Sequence, residues 1–525
     1  MASSNAGLIP VFLIACLLWL PNIGVLPAWD WDEGYNLNYA KNLGEGRLLW
    51  FSLKYAFVPH PPVYLSVLAL FVKVFGNSIL VIRLLSVALN FMVIYLLYLI
   101  GGRIGGPRMA FFTSLLYAIY PSAVYWGRMG FSNHLLNLLV VSSMYFLLRF
   151  NAEGGRWWVP ACLLAGLSPV TEPQGFLVAA ALTAYFIATK RNTLSACAFL
   201  IGPTLVFAAV MAASSNYFID DILHQTGRLK ITVPVIASAS ALAALLAVKR
   251  KQALEFMNRM FEKETTAIFG SKDLFRLHYV PIAMLLAHLL SSTTLIAPIS
   301  EKNMFVGGDY YWLGILGLLL LPAAYMNRVV LVYFLPSFTA VIAFGRADHM
   351  LIPLYPFFAL GVACLLPELY VYLKPRIGVA AAIIILSYPF PAAVFNDLSA
   401  YVIGNQLAPE PVDDLRSVVA YVRNHSSPGD YIITTTHIAR YFDNATTITQ
   451  AVVYEGYPVE YYYGEYPKDR YVFNVSFRNA KYAVVPPGTV EWFKTYAPNA
   501  SSEMGGWPIV NKSGRYLVLS NPTSK

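Results

Sequence analysis

Long apolar runs separated by short polar loops constrain this chain more than any other feature. Hydrophobic residues make up 57% of its 525 residues, and the mean hydropathy is +0.55. A bilayer span needs roughly 20 apolar residues, or fewer inside a bundle. About thirteen segments qualify: 7–27, 79–101, 107–126, 131–150, 157–170, 175–189, 193–213, 233–248, 279–299, 310–325, 328–344, 350–373 and 376–396. The sequence therefore predicts a polytopic α-helical membrane protein.

The basic residues predict how these spans are oriented. Cytoplasmic loops carry an excess of Lys and Arg, and alternate loops here do so: Arg103 and Arg108, Arg149 and Arg156, Lys190 and Arg191, 249–251, Arg328, and Lys374 with Arg376. The net charge of +9 is explained by these loop clusters better than by a nucleic-acid partner. We therefore expect a cell-membrane protein with a cytoplasmic N-terminus, a membrane domain over 1–397 and a polar domain over 398–525 outside the cytoplasm.

The polar tail carries its own evidence for an external location. Five N-x-S/T sequons begin at Asn424, Asn444, Asn474, Asn499 and Asn511. The segment PVDDLRSVVAYVRNH has helical spacing, and YIITTT, AKYAVVPP and GRYLVLSNP have the composition of strands. The tail is predicted to be a glycosylated α/β domain.

Unusual polar residues concentrate in the loops that this topology places outside. Charged groups near the bilayer are costly and usually face a cavity. The first external loop, 28–78, holds Asp30, Asp32, Glu33 and His60, and later loops hold Arg128, Glu172, Asp220, Asp221, His224, Lys302, Arg346 and His349. The spacing of Asp220, Asp221 and His224 fits one helical face that could bind a divalent cation such as Mg²⁺ or Mn²⁺, and a solvated loop face is an equal alternative.

Two short helices are expected in the first external loop. DEGYNLNYAKNLGEG has the length of a helix that ends between Gly44 and Gly46. PPVYLSVLALFVKVFG is short for a span and begins with Pro, which predicts an interfacial helix. These helices would hold Asp32 and His60 at the level of a lipid head group.

A carboxylate and several cations at that depth are suited to act on a substrate in which a sugar is linked to a lipid phosphate. The cations would hold the phosphate, and one carboxylate would take a proton from an attacking hydroxyl. Phosphate is a good leaving group and needs no general acid. A single base therefore predicts direct displacement with inversion at the anomeric carbon. Glycosidases, in contrast, use a pair of carboxylates.

Three motifs resemble those of a known family. DEGYNLNYAKNL, HPPVYLSVLALFVKVFGNSILVIRLLSV and GRADHMLIPLYPFFALGVA resemble segments of GT-C-fold membrane glycosyltransferases, specifically the group of protein O-mannosyltransferases and aminoarabinose transferases. The resemblance covers most of 1–190 and 345–370, and it implies the GT-C fold and an archaeal source.

The resemblance also implies roles for individual residues. Asp32 takes the place of the catalytic base, with Glu33 as its motif partner. His60 stands where many members have a phosphate-binding Lys, and Arg346 and His349 are expected to bind phosphate too. Lys302, a cation of an external loop beyond the resemblance, is a further candidate to hold the phosphate.

Three positions have weaker expectations. Asn133 stands where relatives often have an acid, so it is expected only to bond the sugar, and Glu172 stands where a Lys is frequent, so its role stays open. Asp30 fits a helix cap better than a catalytic group.

The predicted function is an inverting glycosyltransferase that takes a sugar, mannose by default, from polyprenyl or dolichyl phosphate to a hydroxyl acceptor on a protein or a lipid-linked glycan. An oligosaccharyltransferase-like enzyme is one alternative, although a WWDYG-type motif is missing from the tail. A lipid-linked-sugar transporter or flippase is another, but it predicts mid-span charges and inverted repeats that are not evident.

Overall fold

The fold is described from a computed structural model. The described residues are 7–27, 31–50, 53–54, 62–189, 191–214, 217–219, 329–330, 332–334, 336–337, 348–387, 394–395, 398, 412–427, 429–434, 438, 441–442, 446–449, 477–485 and 498–524. The predicted spans 233–248, 279–299 and 310–325 lie outside them.

The described part of the membrane domain is helical. Its helices are α1 (Leu8–Trp19), α2 (Trp31–Gly44), α3 (Pro62–Phe75), α4 (Ile79–Ala118), α5 (Pro121–Gly127), α6 (Asn133–Glu153), α7 (Trp158–Leu167), α8 (Gly175–Thr189), α9 (Thr193–Ser214), α10 (Tyr355–Ile377) and α11 (Val379–Ser387). A two-stranded hairpin of β1 (Leu49–Trp50) and β2 (Leu53–Lys54) follows α2, and short 3-10 turns cover Gly155–Trp157 and Asp348–Leu354.

Helix α4 is a hairpin of two helical segments. Gly106 has φ 80° and ψ −168°, and Pro107 follows it. The Tyr117 hydroxyl donates to Asn90 Oδ1 at 2.6 Å although the two residues are 27 positions apart, a separation that would place them about 40 Å apart in a straight helix. The two predicted spans 79–101 and 107–126 are therefore antiparallel neighbours, and the second breaks before α5 at Tyr120.

Three described helical stretches are long and apolar enough to cross a bilayer: Ile79–Ala118, which folds back at Gly106, Asn133–Glu153 and Thr193–Ala213. Shorter apolar helices are Leu8–Trp19, Pro62–Phe75, Gly175–Ile187 and His349–Cys364. A large apolar core is formed by residues of α1 and of α4 to α10. The chain thus has the helical bundle of a membrane protein.

The two ends of the bundle carry different polar groups. Glu153, at the last residue of α6, pairs with Arg103 at 2.6 Å and with Arg149 at 2.7 Å. The first turn of α6 is about 30 Å away, the rise of a 21-residue helix. The basic loops thus meet at one end of the bundle, and the acidic residues of α2 lie by the other end of α6.

Helices α2 and α3 pack on each other beside α4. Their apolar residues, including Leu37, Tyr64 and Leu68, form a second core with Ile82 and Leu85 of α4. The described bounds of α2 and α3 agree with the two helices that the sequence predicts in this loop.

The described tail contains helix α12 (Val412–His425) and helix α13 (Pro498–Met504) beside a mixed sheet. Its strands are β3 (Tyr431–Thr434), β4 (Thr446–Thr449), β5 (Ala480–Val485), β6 (Ile509–Ser513) and β7 (Tyr516–Ser520), in the order β4-β3-β5-β7-β6. Strand β3 is parallel to β4 and β5, whereas β7 is antiparallel to β5 and β6. The apolar face of α12, with Leu415, Val418 and Val422 buried, packs on this sheet.

Candidate active site

Two neighbouring carboxylates at the start of α2 lie in opposite environments. The Glu33 side chain is completely buried, whereas the Asp32 side chain is 35% exposed. Consecutive residues of a helix point in directions about 100° apart. The helix can therefore bury one carboxylate against the bundle and leave its neighbour accessible.

Glu33 is held by a buried ion pair with Arg83 of α4. Arg83 Nε donates to Glu33 Oε1 and Nη2 donates to Glu33 Oε2, both at 2.7 Å. Arg83 Nη1 also donates to the carbonyls of Ile23 at 3.0 Å and Pro27 at 2.9 Å. This two-pronged geometry is specific to Arg, and it ties the start of α2 to α4 and to the turn after α1.

The segment joining α5 to α6 makes the second attachment. The Gly130 amide donates to Glu33 Oε1 at 2.8 Å, and Asn36 Nδ2 donates to the Gly130 carbonyl at 3.0 Å. A side chain at position 130 would clash, because a Cβ atom there would lie 2.5 Å from the Ile82 side chain. Both main-chain polar groups of Gly130 thereby bind side chains of α2 that are three residues apart.

Arg128 has a structural place in the same segment. Its buried guanidinium donates to the Leu18 carbonyl at 2.8 Å, the Leu26 carbonyl at 3.2 Å and the Pro21 carbonyl. These carbonyls lie at and after the C-terminus of α1, where backbone acceptors lack helical partners. Arg128 therefore caps α1.

Asp32 faces His349, which begins the apolar segment before α10. The His349 Nε2 and Asp32 Oδ2 atoms are 3.9 Å apart. Desolvation and the negative charge of Glu33 raise the pKa of Asp32 to about 6. A carboxylate with that pKa is ionised at neutral pH and is a better proton acceptor than an ordinary aspartate.

The His349 ring is oriented by aromatic contacts. It stacks on Phe131 with centroids 4.6 Å apart and an interplanar angle of 6°, and it meets Trp126 edge-on at 6.2 Å. Phe131 belongs to the α5–α6 connection whose Gly130 amide binds Glu33, and Trp126 lies in the last turn of α5 just before it. One segment thus touches both the acidic and the imidazole side of the site.

A third carboxylate, that of Glu172, comes from the loop between α7 and α8. Ser132 Oγ donates a hydrogen bond to Glu172 Oε1. Burial and the negative charge of Asp32 together raise the pKa of Glu172 to about 7, although the hydrogen bond from Ser132 acts to lower it. Glu172 therefore exchanges a proton near neutral pH and interacts electrostatically with Asp32.

The structure brings together only some of the predicted site residues. Asp32, Glu33, Glu172 and His349 gather near the first turn of α6, where Asn133 is buried. Outside the described residues lie Asp30, His60, Asp220, Asp221, His224, Lys302 and Arg346. Among the described residues, no group of three His, Cys, Asp or Glu side chains could hold a metal ion.

Some of the predicted glycosylation sequons lie among the described residues and others lie outside them. Asn424 is exposed in the last turn of α12, and Asn511 is half-buried on β6. Asn499 lies in α13, and Asn444 and Asn474 lie outside the described residues.

Arg83 is the important site residue that the sequence interpretation missed. It stands within the predicted span 79–101, and an ionisable residue in a span is a functional candidate by default. That signal was available, but the partner of Arg83 is 50 positions away.

Solved structures share this fold over nearly the whole chain. ArnT from Cupriavidus metallidurans, bound to undecaprenyl phosphate, matches with a TM-score of 0.58 and 15% identity, covering 99% of each chain. The apo oligosaccharyltransferase of Archaeoglobus fulgidus matches with a TM-score of 0.57 and 15% identity, covering 100% of this chain and 75% of that one. The fold is therefore the GT-C fold of membrane glycosyltransferases, as the sequence motifs predicted.

A family model makes the resemblance more specific. Residues 59–215 match the model described as dolichyl-phosphate-mannose-protein mannosyltransferase. The match begins after α2 and extends to the end of α9. A search among curated proteins finds no match.

Proposed function

We propose that this chain is an inverting glycosyltransferase that moves a sugar from polyprenyl or dolichyl phosphate to an acceptor hydroxyl, with Asp32 as the general base. Mannose is the default sugar because of the mannosyltransferase family model. The donor class is supported by two related folds: ArnT was solved with undecaprenyl phosphate, and the archaeal oligosaccharyltransferase AglB was solved with dolichol phosphate and an inhibitory peptide.

The contrast between Asp32 and Glu33 carries this proposal. Glu33 is fully buried, and Arg83 and the Gly130 amide hold it, so it serves to position α2. Asp32 is partly exposed, and its pKa is raised to about 6. Among the described residues at the start of α2, Asp32 is therefore the proton acceptor that suits catalysis near neutral pH.

The reaction needs only that acceptor and a group that holds the phosphate. The acceptor oxygen forms a bond to the anomeric carbon while the bond from that carbon to the phosphate oxygen breaks. The electron pair leaves with the polyprenyl phosphate, and the hydroxyl proton passes to Asp32. Displacement from the opposite face inverts the configuration at the anomeric carbon.

His349 is the described candidate for the phosphate side. Its ring is held by Phe131, and its Nε2 atom lies 3.9 Å from Asp32 Oδ2. An imidazolium there would attract both the donor phosphate and the Asp32 carboxylate. We assign His60, Arg346 and Lys302 to the same phosphate on the basis of the sequence.

The distribution of charged residues between the two ends of the helix bundle supports an extracytoplasmic site. Arg103, Arg149 and Glu153 lie about 30 Å along α6 from its first turn. Basic loops favour the cytoplasmic side. The site at the other end would then face outside, together with the C-terminal domain.

The proposal is tested with purified protein, radiolabelled dolichyl-phosphate-mannose and a panel of Ser/Thr peptides and lipid-linked glycans. We expect label in one acceptor class, and NMR of the product should show the anomeric configuration opposite to that of the donor. A product with the donor's configuration would contradict direct displacement. Lack of transfer with several polyprenyl-phosphate sugars, together with lack of donor binding, would contradict the donor class.

An oligosaccharyltransferase-like reaction is the second candidate, because the Archaeoglobus fulgidus enzyme shares the fold over the whole chain. The two reactions differ in their acceptor atom. Adding a peptide with an N-x-S/T sequon to the panel separates them, since label on an Asn side chain would favour the second candidate and label on Ser or Thr the first.

A further inference from the structure

A chain of buried polar side chains runs from the interior of the bundle to the candidate site. Its members are His134, Asn90, Tyr117 and Asn137, all of which are at most 1% exposed. Polar groups are costly within a bundle in the membrane and are usually retained for a purpose. The sequence interpretation treated none of them as a site residue.

The hydrogen bonds of the network have one consistent direction. Asn137 Nδ2 donates to the Tyr117 hydroxyl at 3.0 Å, and that hydroxyl donates to Asn90 Oδ1 at 2.6 Å. Asn90 Nδ2 donates to the Ser86 carbonyl at 2.8 Å and lies 3.0 Å from His134 Nδ1. Because the Asn90 amide nitrogen can only donate, His134 Nδ1 accepts.

This assignment fixes the state of the other ring nitrogen. A neutral imidazole that accepts at Nδ1 carries its proton at Nε2. His134 Nε2 lies 3.1 Å from the Trp126 carbonyl oxygen. The network therefore presents an N–H donor to the main chain of Trp126.

Trp126, in the last turn of α5, directly precedes the short connection that organises the site. Residues 126–131 include Arg128, which caps α1, and Gly130, whose amide binds Glu33. Phe131, at the end of the connection, stacks on His349. The 126–131 segment therefore links both sides of the Asp32 environment, and His134 secures its beginning.

We propose that His134 is a positioning residue for sugar transfer: as a neutral Nε2–H donor it holds the 126–131 segment in the conformation that keeps Glu33 and His349 in place around Asp32. This inference rests on the proposed function for its kinetic consequences. The structural part stands on the hydrogen bonds alone.

Two conservative variants separate the two nitrogens of His134. The amide nitrogen of Gln sits near the position of Nε2, so His134→Gln keeps a donor for the Trp126 carbonyl. The amide of Asn sits near the position of Nδ1, so His134→Asn keeps the contact with Asn90 and loses the one with Trp126. Tyr117→Phe is a matched control, because it breaks the network beyond Asn90 and leaves the contact between His134 and Trp126.

We expect His134→Asn to lower kcat about tenfold or more, because misplacement of catalytic groups is costly. We expect His134→Gln and Tyr117→Phe to stay within about threefold of wild type, and KM for the acceptor to change little in all three. Hydrogen exchange should accelerate in the amides of 126–131 in His134→Asn only. Tyr117→Phe should lower the melting temperature without this local change, which separates positioning from general stability.

Equal kcat in wild type and His134→Asn would overturn the inference. It would also be overturned if His134→Gln and His134→Asn lost the same fraction of kcat and that loss tracked the fall in melting temperature. Unchanged exchange of the 126–131 amides in His134→Asn would also overturn it. Lack of transfer by wild type itself would count against the proposed function, and the exchange experiment would still decide whether His134 holds the segment.

Discussion

Removing Arg83 should destabilise the protein strongly, because it would leave the Glu33 carboxylate buried without its cation. Arg83 donates two hydrogen bonds to Glu33 and two to the carbonyls of Ile23 and Pro27. Breaking a buried ion pair by removing one partner costs about 3 to 5 kcal/mol. We therefore expect Arg83→Met to lower the free energy of unfolding by at least that much.

A double-mutant cycle tests the cause of this loss. In Glu33→Gln/Arg83→Met the remaining partner is neutral, so the double variant should be more stable than Arg83→Met by about 2 kcal/mol. The measurement is equilibrium unfolding in mixed micelles titrated with SDS, followed by tryptophan fluorescence. Additive losses in the cycle would refute the argument that an unpaired buried charge is responsible.

The exposed ion pair at the other end of the bundle is a control. The side chains of Arg149 and Glu153 are 25% and 37% exposed. Solvent screens such pairs, so Arg149→Met should cost much less stability than Arg83→Met. A loss of similar size would show that burial does not set the strength of the Arg83 pair.

Three further predictions concern the site. Transfer should fall as pH drops through about 6, because Asp32 must be ionised to accept a proton and its pKa lies there; a rate that is flat down to pH 4 would exclude this role. Glu172, with a pKa of about 7, is mostly protonated and uncharged at the pH of about 6 where Asp32 titrates, so Glu172→Gln should leave the acidic limb of the pH profile in place, and a shift of that limb to lower pH would show that Glu172 is charged there. Gly130→Ala should lower the free energy of unfolding by about 1 to 3 kcal/mol and reduce the rate of transfer, because the new Cβ atom would lie 2.5 Å from the Ile82 side chain. A melting temperature and a transfer rate equal to those of wild type would show that the segment accommodates a methyl group.

Much of the fold follows from local sequence signals. Apolar runs of sufficient length mark the helices, and Gly106 with Pro107 marks the reversal within α4. The helices of the first external loop are predicted from their Gly and Pro boundaries, and α2 ends at Gly44. Short apolar runs with β-branched residues and Tyr mark β3, β5 and β7 in the tail.

The candidate site is predicted less completely, because its contacts are distant in sequence. Asp32 and Glu33 are recognised as a motif, but their different environments depend on Arg83 and Gly130, which are 50 and 97 positions from Glu33. Arg128 is recognised as a loop charge, whereas the structure uses it to cap α1. Local patterns identify polar residues; only packing decides which of them is buried and which faces substrate.

The most direct test of the account compares wild type with Asp32→Asn in sugar transfer from radiolabelled dolichyl-phosphate-mannose, with donor binding measured in parallel. Asn keeps the size of the side chain and cannot accept the proton, so we expect donor binding to persist while the rate falls about 10²-fold or more. Equal transfer by the two proteins would contradict the assignment of Asp32 as the base.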